Sequence, residues 1–167
     1  MYRFYFKQNN QQILLPVAPA ELMTQVKGES KKVELTNVGE GSILKDIGLR
    51  RLSFKILLPA VQYSFVQTEG AFQQPIFFLN QFRQYKMSKR PVNLIVFRKL
   101  ANKEELFSGN MEVSFEEYTV LERGGEQGDF WVEIQLKEYR KIMATAYSIK
   151  QQQHQTVLEE TGVKREG

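Results

Sequence analysis

Four glutamates stand where acid and base chemistry would want them: Glu133 with Glu138, and Glu116 beside Glu117. Two carboxylates, one protonated and one ionised, equip a hydrolase that cuts glycosidic bonds, those of a cell wall among them. Each pair falls in a stretch that alternates apolar and polar residues, however, and on the polar side of such a strand a carboxylate is ordinarily a solvated acid. The other catalytic groups are scarce. There is no cysteine, and the single histidine, His154, sits among Gln151, Gln152, Gln153 and Gln155. Disulfides, thiolate nucleophiles and thiolate metal sites are thereby excluded, and a histidine triad or zinc centre would have to be built inside a glutamine run. The reading is therefore no enzyme, no catalytic residue, no metal and no cofactor.

Two further motifs invite chemistry. Gly39-Glu40-Gly41 lacks the third glycine and the lysine-serine pair that complete a nucleotide loop, so 38–48 reads as a turn or extended loop. Arg83, Lys86, Lys89 and Arg90, followed by Arg98 and Lys99, form the densest basic cluster. Such a cluster can track phosphates, which leaves nucleic-acid binding as one alternative. It also coincides with a helix end, where cations oppose the negative pole of the dipole, and nucleic acid is not the expected partner.

The elements that must carry these residues centre on 128–140. Phe130, Val132, Ile134 and Leu136 alternate with Trp131, Glu133 and Gln135, the period of a strand with one face in a core. The span 110–122 reads likewise, and the glycines of 123–129 allow a turn, which makes an antiparallel hairpin. Along 110–122 the apolar parity slips from Met111, Val113 and Phe115 to Tyr118 and Val120, which predicts a β-bulge at Glu116-Glu117. On the polar face, with Glu112, Glu116, Glu133, Gln135 and Lys137, Trp131 is the exception: a helix or a neighbouring subunit is expected to cover it.

Alternation also marks strands over 2–7, 30–37 and 49–58, the last stopped by Pro59. The run 13–17 is apolar on both faces and ends at Pro16, and 19–23 has proline at the first position of one helical turn. An irregular segment covers 62–71. Helix 75–88 opens on Pro75, carries Ile76, Phe78, Leu79, Phe82 and Tyr85 as one buried stripe, and ends before Pro91. The span 92–98 is apolar on both faces, placing it centrally between the helix and a sheet; a polar turn, 100–105, then enters a short strand at Leu106-Phe107. Seven or eight strands and one helix result, a mainly β fold.

At 167 residues, 42% of them hydrophobic, the chain suits one domain that buries roughly 70% of its unfolded surface without a covalent staple. Residues 1–141 form that domain. The polar, aperiodic 142–167 is expected to be a C-terminal arm. No apolar run approaches the ~18 residues of a membrane span, and no signal-peptide block opens the chain, so synthesis and assembly in the cytoplasm are expected.

The order of motifs resembles a known family. Leu-Pro-Val-x-Pro (15–19) is followed by Glu-Leu-Thr-Asn-Val-Gly-Glu-Gly (34–41) and Leu-x-x-Leu-Ser-Phe-x-x-Leu-Leu-Pro (49–59); Pro-Val-Asn-Leu-Ile-Val (91–96) and Gly-Asp-Phe-Trp-Val-Glu-Ile-x-Leu-x-Glu-Tyr-Arg (128–140) complete it. Together they look like the N-terminal domain of LysM-carrying tail proteins from contractile phages and phage-tail-like bacteriocins. The resemblance implies a tail-tube-like antiparallel β-sandwich or barrel with one packed helix. It further implies a structural baseplate adaptor linking tail tube to central spike or hub as a ring, often of six, with the tube protein and the spike or hub as partners. Loops 38–50 and 123–129 would reach the rings above and below, and Tyr2, Phe4, Ile43, Leu44, Trp131 and Tyr139 would supply the protein interface. Arg83, Lys86, Lys89 and Arg90 would face the lumen or a polyanion. Relatives commonly continue into a LysM module; with 26 residues after Lys141, none is expected here.

Overall fold

The computed structural model describes residues 2–35, 39–102, 104–126 and 128–141, with the backbone path alone at 29, 31–35 and 39–45. Among the described residues nine strands and one helix run β1 (Tyr2–Gln8), β2 (Gln11–Leu14), β3 (Leu22–Gln25), β4 (Gly28–Leu35), β5 (Gly39–Ile47), β6 (Arg51–Leu58), α1 (Pro75–Ser88), β7 (Val92–Arg98), β8 (Gly109–Glu122) and β9 (Phe130–Glu138). Seven strands form one antiparallel sheet ordered β2-β1-β7-β8-β9-β6-β3, while β4 and β5 pair separately as a two-stranded ribbon.

Alternation sets the inner face of the large sheet. Phe4 and Phe6, Leu52 to Leu58 at even positions, Val92, Leu94 and Val96, Val113 and Phe115, and Val132, Ile134 and Leu136 are all buried. The sheet curls strongly. Phe4 in β1 and Phe54 in β6 are separated by β7, β8 and β9, which on a flat sheet would hold them about 19 Å apart. Their ring centroids are 6.0 Å apart instead, so the inner face closes on itself as an open barrel. Phe6 continues the contact to Phe82 and Tyr85 of α1 and to Phe115 of β8, at 6.0, 5.9 and 5.1 Å. An aromatic column thus joins both flanks of the sheet to the helix, and burying each such ring contributes about 2–3 kcal/mol.

Helix α1 begins with Pro75 at its first position, where a missing N–H costs nothing, and Lys89 ends it in the left-handed conformation (φ 52°). Pro75, Phe78, Phe82 and Tyr85 are buried, but Ile76, expected in the stripe, is exposed: its position on the turn carries it off the face that meets the sheet. The expected bulge is present, with the β8–β9 register shifting between Phe115 and Glu117.

Other expectations are corrected. The helical turn over 19–23 is not formed, because Leu22 and Met23 pair with Phe54 and Ser53 and Leu22 packs on the core; tertiary pairing overrides the local proline signal. Within the loop expected over 38–48, Gly39–Ile47 is strand β5, its Gly39 and Gly41 lying opposite Leu35 and Val33, so two glycines that suggested a turn sit in a ladder. Leu106-Phe107 is not a strand; a single Lys99–Glu105 bridge precedes it and both side chains are exposed. Rather than lying between helix and sheet, β7 is an inner strand flanked by β1 and β8. The arm expected over 142–167 lies outside the described residues.

Candidate assembly surfaces

An antiparallel sheet that stops short of closure leaves two margins whose outer backbone groups face away from the ladder. At the β2 margin the chain supplies part of its own cover: the N–H of Gln67 donates to the Pro16 carbonyl (2.7 Å) and its side-chain amide to the Tyr2 carbonyl (3.1 Å). The β3 margin is barer. Met23 on β3 and Val26 just beyond it are 65% and 53% exposed, and Ile47 at the foot of the ribbon is 65% exposed.

The ribbon leaves the sheet at a tight crossing, where the Gly48 N–H donates to the Lys27 carbonyl at 2.9 Å. A Cβ on Gly48 would meet that carbonyl oxygen at 3.0 Å, closer than ordinary contact, so a larger residue would push the two segments apart by a few tenths of an ångström. A two-stranded ribbon is at best marginally stable alone in water. Immediately after the crossing, Arg50 is fixed to β9: its N–H and Nε both donate to Glu138 Oε2, at 3.1 and 3.0 Å. Those two bonds, side chain first, hold the Glu138 carboxyl down at about 2, with Arg140 adding a weaker charge.

On the outer face Trp131 is half-buried. Its indole N–H donates to Glu126 at 2.7 Å, and Lys55 and Arg123 lie over the ring at 5.2 and 5.7 Å. Neighbouring side chains of the hairpin and β6 provide this partial cover, not the helix, which packs on the inner face. Beside the tryptophan a groove of about 480 Å³ is lined by Ala18, Met23, Lys55, Leu57 and Glu133, and it runs to the β3 margin.

The other expected interface residues are dispersed. Phe4 is 2% exposed and belongs to the core, so its ring offers no surface; β1 lies inside the sheet between β2 and β7. Tyr2 is half-exposed at the end of the inner face, and Tyr139, 41% exposed, follows β9 with its N–H on the Glu112 carbonyl (2.8 Å). Ile43 and Leu44 lie on β5, their side chains outside the described set. Arg83, Lys86, Lys89 and Arg90 do gather at the C-terminal end of α1, all exposed, with Lys86 Nζ donating to the Glu116 carbonyl at 2.9 Å.

Of the glutamates of the hydrolase reading, Glu116, Glu117 and Glu133 line one groove of about 480 Å³ with Arg51 and Lys137, all three of them exposed, and Glu138 does not join them. Glu133 and Glu138 fall on opposite faces of β9 by its alternation, and Glu138 is already engaged by Arg50. Glu116 accepts the Ser114 hydroxyl at 2.6 Å, and both bulge glutamates are exposed. Among the described residues no group of acids and histidines is arranged to hold a metal.

One cluster was invisible in the sequence. Arg98 lies with its guanidinium 4.5 Å over the Phe107 ring and 5.9 Å from the Tyr2 ring, at the end of the inner face. The Tyr2–Arg98 pairing is a cross-strand register, and Phe107 arrives by an irregular turn, so only a correct β1–β7 alignment would have predicted it.

No family model matches the chain. Among curated proteins, YqbP, an uncharacterized protein of Bacillus subtilis (strain 168), is 26% identical over 141 residues, a match covering 84% of this chain and 60% of YqbP. The chain therefore spans about three fifths of the length of that relative. Among solved structures, a chain of the cryo-electron-microscopy structure of the anti-feeding prophage baseplate, six-fold symmetrised, is similar with a TM-score of 0.50 at 8% identity, over 83% of this chain and 89% of that one. A chain of the anti-feeding prophage tube-terminating cap aligns with a TM-score of 0.48 at 7% identity, over 83% and 85%. What the likeness to the baseplate chain shows is a common fold.

Proposed function

We propose that this chain is a non-enzymatic structural subunit of a contractile, phage-tail-like particle, whether phage tail or bacteriocin. In this reading it acts at the baseplate as an adaptor between the tail tube and the central spike or hub. Its mechanism is mechanical. Identical copies join margin to margin, β3 of one beside β2 of the next, so that each curled sheet continues into its neighbour and a ring, of six in this reading, results. The β4–β5 ribbon, which has no sheet of its own to rest on, reaches the ring above or below, as does the 123–129 turn. Residues 1–141 are the ring domain, with 142–167 as its extension, and the ring is assembled in the bacterial cytoplasm.

The observation that carries this reading is the bare β3 margin beside an unsupported ribbon, in a chain that shares its fold with a baseplate subunit. The cell-wall hydrolase reading finds less support: Glu133 and Glu138 point to different faces of the strand, and Glu116, Glu117 and Glu133 are all exposed to solvent along their shared groove. Cryo-electron microscopy of particles purified from the producing cell, with this chain tagged, tests the proposal: density for the tag at the junction of tube and spike is expected. Particles complete without the chain, or a chain that stays monomeric at every concentration, would overturn it.

A further inference from the structure

At the end of the inner face where β1 starts and β7 stops, Tyr2 and Arg98 face across the curl towards Leu22 and Thr24 of β3, and a cavity of about 330 Å³ lies between them, closed by Pro19 and Phe4. Arg98 is held there with unusual definition. Phe107 covers the guanidinium at 4.5 Å, Tyr2 lies at 5.9 Å, and Nη1 stands beside the backbone of Gly109, 3.5 Å from where a Cβ would be. Two aromatic rings flank the cation, and among the described residues no hydrogen bond or ion pair engages its N–H donors.

The nearby acids are committed elsewhere. Glu105 pairs with Lys99 at 3.2 Å, Glu104 bonds Asn102, and Glu69 binds Tyr5 and Arg3. Among the described residues no carboxylate pairs with Arg98. A partly desolvated guanidinium, fixed in plane and without a counter-ion, matches a planar two-oxygen acceptor. The cavity beside it has an apolar wall, Leu22 and Pro19, deep enough for a short aliphatic stem, and a hydroxyl, Thr24, as a further donor.

We propose that this notch binds the carboxylate of a glutamate or aspartate side chain presented by a protein partner, with Arg98 as the bidentate anchor and Tyr2 and Phe107 as the clamp that orients it. The proposal does not depend on the adaptor reading, because the notch lies within one copy and can be tested on it directly. The test is a titration of the full chain, uniformly labelled with nitrogen-15, with the blocked peptide acetyl-Gly-Glu-Gly-amide, following by NMR the backbone N–H signals of Tyr2 and Thr24 beside Arg98, which every variant retains. A saturable shift is expected, at least 10-fold weaker with acetyl-Gly-Gln-Gly-amide, several-fold weaker in Arg98→Lys and absent in Arg98→Gln. Phe107→Ala, which frees the cation without touching the core, is expected to weaken it several-fold. Equal response to the glutamine peptide, a shift that persists in Arg98→Gln, tighter binding of free glutarate than of the peptide, or no saturation would each overturn the proposal.

Discussion

Arg50 and Glu138 clasp one another three times: the Arg50 N–H and Nε donate to one carboxylate oxygen, and the Glu138 N–H returns a 2.8 Å bond to the Arg50 carbonyl. The clasp fastens the foot of the β4–β5 ribbon to β9. Because the folded-state pKa of Glu138, about 2, lies below its ordinary 4.5, its stabilisation is fully present above pH 4.5 and is lost as pH falls towards 2. With the Arg50 side chain 43% exposed, solvent screens the pair, and the contribution is about 1 kcal/mol. Glu138→Gln should lower the urea-unfolding free energy by about that amount at pH 7 and by much less at pH 2, where wild type and variant converge. A difference that persists undiminished at pH 2 would place the effect elsewhere.

Tyr85 offers the opposite test. Its ring is buried against Phe6 and Phe115, yet its hydroxyl has no partner among the described residues. Burial pushes its pKa up to about 12. A raised pKa gives stability that is complete below the unfolded value of 10 and is lost as pH rises through 12. Tyr85→Phe keeps the ring and removes the orphaned hydroxyl, so it should leave stability unchanged or raise it by up to ~1 kcal/mol at pH 7. It should also flatten the loss of thermal midpoint between pH 10 and 12.

The same residues show what the sequence made legible. Strict alternation in β6 and β9, and the stripe of Phe78, Phe82 and Tyr85, encode burial locally, so the core and the helix bounds are readable without a partner strand. The bulge is equally local, since a parity slip at Glu116-Glu117 can arise only from an extra residue. By contrast β3 and β5 exist through their partners: Met23 is in a strand because Ser53 is opposite it, and Gly41 because Val33 is. The assembly surface was read least well for this reason. Phe4, expected at the interface, is buried because β1 lies between β2 and β7, and Arg98 gained its aromatic clamp from a register that no short window contains.

Asp129 fixes the turn before β9 to the end of β6. One carboxylate oxygen accepts the Ala60 N–H at 2.6 Å and the other the Tyr63 hydroxyl at 3.2 Å, just after Gly128 turns at φ 94°. Asp129→Ala leaves the Ala60 donor without its acceptor and should cost about 2 kcal/mol in chemical denaturation. Asp129→Asn, which keeps an acceptor for Ala60, should cost less than half as much. Equal losses would mean that charge, rather than the hydrogen bond, holds the turn.

The β3 margin separates folding from assembly. Met23 is 65% exposed and on the outer face of a four-residue strand, so lysine there adds no buried charge and removes no core contact. Within one copy Met23→Lys should therefore shift the thermal midpoint by no more than about 2 °C, the behaviour of a surface substitution. Against a neighbour the same charge would have to be desolvated as the margin is covered, the device by which natural edge strands block pairing. If copies join through this margin, sedimentation velocity of Met23→Lys should show the oligomer boundary replaced by monomer at concentrations where wild type is assembled, while a matched change on the helix, Met87→Lys, leaves the oligomer intact. Loss of assembly in both variants would point to a general effect of charge, and assembly retained in Met23→Lys would move the joint away from β3.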